Sequence, residues 1–224
     1  MSKGKISLLV VLVLTVLGVG VTATATTMTV SPMGQMTTSE AGAVTLNFTG
    51  GLPAGYTASC PDGNKDCGVI PGGQWVYPTG DKNPYLGTGI GSDSISINLA
   101  AVKSSLGLTG NISYFGLYWG SIDTWNTISF WDGSNEIASF TGTDVANASS
   151  SPVQFGTTSL FVNFFANGDT WTNIDLTSSQ PNFESDNHAF GDSAVPEPAT
   201  MALLGLGMLG LSLLIRRHNR ERTE

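Results

Sequence analysis

The segment YFGLYWGSIDTWNTISFWDG, from Tyr114 to Gly133, carries the densest run of aromatic residues in the chain. Side chains alternate along a strand, so a strand with Phe115 and Trp119 facing the core would turn Tyr118 to the opposite face. The same alternation applies to the second half of the segment. We therefore expect two strands here, with aromatic rings on both faces.

Similar segments surround this one. They are short, rich in aromatic and β-branched residues, and separated by Gly-Ser, Asp-Gly or Asn-Gly-Asp turns, with no long amphipathic helix between them. This spacing predicts an all-β fold, an antiparallel β-sandwich of jelly-roll type. The predicted strands are 43–49, 94–99, 112–119, 125–131, 136–140, 159–165, 171–176 and 182–190, with an irregular lead-in at 26–42, long loops and one further strand (74–77) at 54–91, and one or two helical turns at 99–106.

The aromatic segment allows two interpretations. In the first, Trp125 is exposed beside Asp123 and Asn126, where an indole face and polar side chains would bind a sugar by stacking and hydrogen bonds. In the second, the long loops of the first half cover the outer sheet faces, and the rings only contribute to packing. The sequence leaves both open.

Oxygen-bearing side chains also concentrate in the segment FESDNHAF, residues 183–190. Glu184, Asp186 and Asn187 are predicted to offer oxygens to a ligand, and calcium is the cation that such oxygens would bind. In the alternative, Asp186 and Asn187 are bonded to a neighbouring loop and serve the fold.

A second acidic loop, Asp62-x-Asn64-x-Asp66, opens like a calcium-binding loop. It has Cys67 and Gly73 where such a loop needs a Gly and a Glu. No metal site is therefore assigned to it, and no cofactor is expected beyond the calcium alternative.

Signatures of enzyme classes are absent: the chain has no Gly-x-Ser-x-Gly turn, no His-Glu-x-x-His and no phosphate-binding loop. A serine triad would have to use His188, the one histidine between the two ends of the chain. Carboxylate pairs for glycoside hydrolysis stay a less favoured alternative, because spacing in sequence does not give separation in space. We predict that the protein is not an enzyme.

The charge balance between the ends is strongly acidic. Residues 26–197 contain three lysines, no arginine and fifteen Asp or Glu, a net charge of −12. Such a surface repels nucleic acid and anionic lipid, and it favours cations, neutral sugars or basic partners. In the alternative, the charge serves only to keep the domain soluble.

Cys60 and Cys67 are the only cysteines. The ends of the chain, described below, predict export into an oxidising compartment, and two cysteines with His188 as the one histidine of the exported part are too few for a zinc site. The sequence therefore predicts a disulfide that closes the polar loop between them.

The first 25 residues predict a signal peptide. Lys3 and Lys5 form a basic start, residues 6–21 are apolar, and Ala23-Thr24-Ala25 fits the rule for cleavage after Ala25. An uncleaved membrane anchor is the alternative. Either way, residues 26–192 are predicted to form one exported domain.

The last 32 residues, 193–224, have three parts. Pro196, Glu197 and Pro198 form a motif within 195–200 where regular helix is prevented. The apolar run 201–215 spans about 22 Å as a helix, against about 30 Å of hydrocarbon, which predicts a short transmembrane helix. The basic end, 216–224, should stay in the cytoplasm, which places the motif outside the inner membrane.

This tail closely resembles the PEP-CTERM sorting signal of bacterial exosortase substrates, because motif, apolar helix and basic end occur in that order. The resemblance implies processing by exosortase and delivery to the cell surface or the exopolysaccharide matrix. A plain C-terminal anchor is the alternative.

The blocks Tyr-Phe-Gly-Leu-x-Trp-Gly-Ser-x-Asp and Phe-Glu-x-Asp-Asn also resemble those of a group of exosortase-dependent surface proteins. That resemblance implies a surface protein and carries over no catalytic residues. The sequence thus predicts an exported, non-catalytic surface or matrix protein associated with the exopolysaccharide layer, and the alternative is a carbohydrate-binding module on the same anchor.

Overall fold

The computed structural model describes residues 25–61, 63, 65–72, 78–89 and 91–192. Residues 1–24 of the predicted signal peptide, the predicted strand at 74–77 and the whole sorting tail lie outside these residues. No helix within the described ranges is long and apolar enough to cross a membrane. The described elements are β1 (Thr27–Val30), β2 (Val44–Leu46), β3 (Tyr56–Ser59), β4 (Cys67–Ile70), β5 (Tyr85–Thr88), β6 (Ser94–Asn98), α1 (Leu99–Leu106), β7 (Tyr114–Gly120), β8 (Asn126–Asp132), β9 (Asn135–Thr141), α2 (Gly142–Ala148), β10 (Leu160–Phe165), β11 (Asn173–Ser178) and β12 (Glu184–Gly191).

Two antiparallel sheets form a sandwich, as the sequence predicts. The seven-stranded sheet has the order β1-β10-β7-β12-β5-β4, with β2 also paired to β12. The five-stranded sheet has the order β3-β6-β11-β8-β9. The predicted all-β class and antiparallel sandwich are therefore confirmed.

Strands β5 to β12 have the pairing of a jelly roll. β5 pairs with β12, β6 with β11, β7 with β10 and β8 with β9, so the pairs are nested around the β8–β9 turn. This is one long antiparallel hairpin rolled across two sheets, which is the topology of two Greek keys. The strands before β5 extend the edges of this unit.

The main core lies between the sheets. Phe115, Leu117 and Trp119 alternate along β7 and are fully buried there. Trp119 stacks on Phe183, with ring centroids 4.4 Å apart. Each large apolar side chain buried in this way contributes about 1.5–3 kcal/mol to stability.

The outer face of the seven-stranded sheet is also covered. Tyr114, Tyr118 and Phe161 form a second apolar cluster on that face. The Tyr118 hydroxyl donates to the carbonyl oxygen of Thr79 at 2.6 Å, and the Tyr114 hydroxyl lies 2.6 Å from that of Thr38. Loops of the first half therefore cover these rings, which supports the packing interpretation for β7.

Several short elements were not predicted. The lead-in contains β1, and the region expected to be mostly loops contains β3, β4 and β5, each of four residues. Strands this short give little periodicity, and β1 and β3 are edge strands whose outward residues stay polar. The seven-residue helix α2 was missed for the same reason of length, although Thr141 and Asp144 form a capping box at its start.

Both ends of the described domain lie at one end of the sandwich. Across the seven-stranded sheet, Thr27 pairs with Phe165, which pairs with Tyr114, which pairs with Gly191. We call this the tail end. The opposite end, the far end, carries the loops that follow Gly120 and precede β10 and β12.

Candidate functional site

Two loops of the far end present aromatic rings to solvent. Trp125 is 36% exposed and Phe155 is 42% exposed. Backbone bonds hold the two loops together: Gly156 N–H donates to the carbonyl of Ile122 at 2.9 Å, and Ile122 N–H donates to that of Thr158 at 2.9 Å. Trp125 was singled out from the sequence, whereas Phe155 stands in a segment that gave no signal.

The two polar residues beside Trp125 are both buried. Asn126 is fully buried, and its side-chain oxygen accepts from the Ser178 hydroxyl at 2.8 Å. Asp123 is only 6% exposed, and burial raises the pKa of its carboxyl. Asn126 faces inward with Ile128 and Phe130 on β8, so its side chain does not share the exposed surface of the indole. Ligand binding by Trp125, Asp123 and Asn126 stays a prediction.

Glu184 lies on the outer face of the seven-stranded sheet and is 4% exposed. Its neighbours across the sheet are Gly120 and Gly87. Burial, and next the negative charges of Asp123 and Asp66, raise the pKa of Glu184 to about 8. One of its carboxyl oxygens is buried without a hydrogen-bond partner in the described part of the chain. A protonated carboxyl fits this environment better than a carboxylate.

Asp186 and Asn187 form a bulge in β12, where Asn187 has a φ of 50°. Asn187 N–H donates to Asp186 at 2.7 Å, and its side-chain amide donates to Asp81 at 3.0 Å and to the carbonyl of Met36 at 3.1 Å. Burial raises the pKa of Asp186 to about 7, helped by the charge of Asp81 and a hydrogen bond with it. These contacts connect β12 to two loops. They support the alternative in which Asp186 and Asn187 serve the fold.

His188 is enclosed between the sheets. Its ring nitrogens lie 2.9 Å from the Tyr56 hydroxyl and 2.9 Å from the Ser185 hydroxyl. Burial lowers the pKa of His188 to about 3, so the ring is neutral. Ser185 and His188 are both fully buried, so the pair has no access to a substrate.

The remaining predictions concern metals and cysteines. Cys60 and Cys67 form the predicted disulfide. Within the described ranges, no three or more His, Cys, Asp or Glu side chains are grouped closely enough to hold a metal ion. Asp62 and Asn64 of the second acidic loop lie outside those ranges, so calcium stays a prediction.

A cleft of about 410 Å³ opens on the covered side of the seven-stranded sheet. Tyr118 forms part of its wall, together with Met33, Met36, Thr79 and Ser159. It contains none of the residues predicted from the sequence.

The outer face of the five-stranded sheet is an open polar surface that sequence reasoning did not single out. Its residues are all partly or largely exposed. We call it the polar face, and it consists of Thr57, Ser59, Ser94, Ser96, Asn98, Thr127, Ser129, Trp131, Glu136, Ser139, Thr141, Asn173, Asp175 and Thr177. The period-two alternation of β6, β8 and β11 was the signal that could have identified it.

Comparison with known proteins gives one match. Residues 194–217 match the family model of the PEP-CTERM protein-sorting motif. No curated protein and no solved structure matches the chain. The match begins two residues after the described domain ends, so the chain carries a PEP-CTERM sorting signal directly behind the jelly roll.

Proposed function

We propose that this chain, which carries a PEP-CTERM sorting signal, is an exported and exosortase-processed surface protein whose jelly-roll domain associates non-catalytically with the exopolysaccharide layer. The motif match at 194–217 is the observation that carries the proposal. Exosortase is the processing partner, and the inner membrane holds the chain before processing. The mature protein then resides at the cell surface or in the extracellular matrix.

A non-catalytic role is supported by the burial of the reactive groups. Glu184 and Asp186 are covered on the outer face of one sheet, and Ser185 and His188 are enclosed between the sheets. General acids and nucleophiles must reach a substrate, and these side chains do not. A glycosidase is therefore the least favoured proposal.

A carbohydrate-binding module on the same anchor is the second candidate. The exposure of Trp125 and Phe155 at the far end favours it, since aromatic rings in water are suited to stacking on sugars. The two candidates share a partner and differ in whether the domain binds it with a defined site.

The sorting step is tested by changing Pro196, Glu197 and Pro198 together to Ala in a host that has exosortase. We expect the full-length chain to accumulate in the inner membrane. A matched triple change in the basic end, Asn219, Glu221 and Thr223 to Ala, should leave processing intact. If the variant of Pro196, Glu197 and Pro198 were processed like the parent, the sorting-signal interpretation would be wrong and the tail would be a plain membrane anchor.

A further inference from the structure

We propose that the polar face binds an uncharged polysaccharide chain, an inference that rests on the proposed association with the exopolysaccharide layer. The two outer faces of the sandwich are unlike each other. Loops cover the face of the seven-stranded sheet, and Tyr114 and Tyr118 are buried beneath them. On the polar face, every residue keeps contact with solvent.

The polar face is a grid because the registers of β3, β6, β11 and β8 align, and β9 continues it with one register shift opposite Phe130 and Trp131. Neighbouring strands lie about 4.8 Å apart, which is close to the length of one sugar unit in an extended chain. Rows of side chains therefore cross the sheet at right angles to the strands. The rows are Thr57-Ser96-Asp175-Ser129-Ser139, Ser59-Ser94-Thr177-Thr127-Thr141 and Asn98-Asn173-Trp131-Glu136.

Hydroxyl and amide groups make up most of this grid, and they can both donate and accept hydrogen bonds. The bonds made within the face are long: Ser129 and Ser139 hydroxyls lie 3.2 Å apart, and the Asn173 amide donates to the Ser96 hydroxyl at 3.3 Å. Bonds at such distances are weak and easily exchanged. Asn98 and Thr141 are held by shorter capping bonds of 2.9 Å and 2.7 Å to Ala101 and Asp144. The Ser and Asn groups with the long bonds can turn toward the hydroxyls of a sugar chain.

The charge of the face selects the kind of polymer. It carries no Lys or Arg, Asp175 stands at its centre, and Glu136 stands at its edge. An acidic polymer would be repelled. A protein partner would need an apolar centre to bury, and Trp131 is the single large apolar side chain on the face. A neutral polysaccharide is not repelled by these charges and does not need an apolar centre. Trp131 offers it one stacking surface.

The experiment uses the full-length chain in detergent, run through native gels that contain polysaccharide isolated from the matrix of the host. Anion exchange separates that polysaccharide into a neutral and an acidic fraction. We expect the neutral fraction to retard the chain and the acidic fraction to leave its mobility unchanged. Mobility against polysaccharide concentration gives an apparent affinity.

The variant Ser96→Arg/Ser129→Arg places two bulky side chains on either side of Asp175, and it should weaken binding by at least about tenfold. Ser104→Arg/Ser150→Arg adds the same charge at exposed positions away from the face and should bind like the parent. Trp131→Ala should weaken binding by about two- to tenfold. Circular dichroism checks folding, and Trp131→Phe replaces the Ala variant if that one unfolds.

The outcomes separate two failures. A parent chain that neither fraction retards would overturn both this inference and the polysaccharide part of the proposed function. A parent retarded by the neutral fraction, with Ser96→Arg/Ser129→Arg retarded equally, would overturn the polar face alone. Loss of binding in Trp125→Ala but not in the polar-face variants would place the contact at the far end instead.

Discussion

Trp119 and Trp125 lie at the two ends of one short loop and have opposite surroundings. Trp119 is fully buried and stacked on Phe183, whereas a third of Trp125 faces solvent. We predict that Trp119→Ala lowers the free energy of unfolding by about 3–5 kcal/mol. Trp125→Ala should lower it by less than about 1 kcal/mol. Urea denaturation of residues 26–192, followed by circular dichroism, measures both.

Trp119→Phe is the control for this pair, because it keeps an aromatic ring against Phe183 and should cost less than Trp119→Ala. Equal losses for the two alanine variants would contradict the assignment of core and surface.

Glu184 and Asp186 make stability depend on pH. Their folded pKa values, about 8 and about 7, exceed the ordinary values of 4.5 and 3.8. The folded chain therefore holds more protons than the unfolded chain, so the free energy of unfolding falls as pH rises through this range. His188 acts in the opposite direction, but only below its ordinary pKa of 6.5.

Between pH 6.5 and pH 8, His188 no longer offsets the effect of Glu184 and Asp186 on the free energy of unfolding. Each of the two acids contributes a slope of up to about 1.4 kcal/mol per pH unit. We predict that the parent loses stability across this window and that Glu184→Gln is more stable than the parent at pH 8 but not at pH 5. Thermal denaturation at both pH values checks this. A variant less stable than the parent at pH 8 would indicate that the carboxylate form of Glu184 is stabilised by a cation.

The sequence indicated Trp125 and Asn126 as neighbours in a possible ligand site, which stays a prediction, but it did not give the direction of the Asn126 side chain. The turn signal around Asp123 suggested an exposed loop, but Asn126 already belongs to β8 and shares the inward parity of Ile128 and Phe130. Nearness in sequence to an exposed ring did not give the direction of the side chain. The burial of Glu184 was equally hidden, because it depends on loops that fold over the sheet.

At the scale of elements, the chain from β6 onward was predicted well, whereas β2 was the one described strand before β6 that the sequence located. Strands β6 to β12 are five to eight residues long and alternate clearly, so period and turns located them. The helix α1 was also located, since Asn98 caps its start and Gly107, with a φ of 66°, ends it. Four-residue strands show too little alternation to be located in the sequence, and their pairing is tertiary: β5 pairs with the longer β12, and β4 pairs with β5.

The disulfide belongs to this scale because it closes the polar connection between β3 and β4. Labelling of the unfolded, unreduced domain should find no free thiol. Replacing Cys60 and Cys67 with Ser should cost no more than about 3 kcal/mol, because the loop is short. The variant should still fold, as measured by urea denaturation. Complete unfolding would show that the disulfide stabilises the domain beyond the loop that it closes.

At the scale of the whole molecule, the sequence predicted a sandwich of jelly-roll type but not which strands pair. Nesting of β5 with β12 and β6 with β11 joins residues far apart in the chain, and no local pattern encodes it. The polar face is a product of this pairing, because its rows draw one residue from each of several strands. Its residue types were visible in the sequence, and their assembly into one surface was not.

The same topology brings both ends of the described domain to the tail end, and in the sequence the sorting motif begins two residues after Asp192. Under the proposed function, the tail end would be the part of the domain nearest the membrane before processing, and the far end would lie away from it. A surface protein that contacts an external polymer is consistent with this arrangement.

The central claim is that the chain is sorted by its tail and resides outside the cell. The most direct test is the intact mass of the protein recovered from washed extracellular matrix of a host with exosortase. We predict a chain that begins at Thr26 and lacks residues 201–224, and its absence from the matrix when exosortase is inactivated. Full-length chain confined to the inner membrane in both hosts would contradict the account.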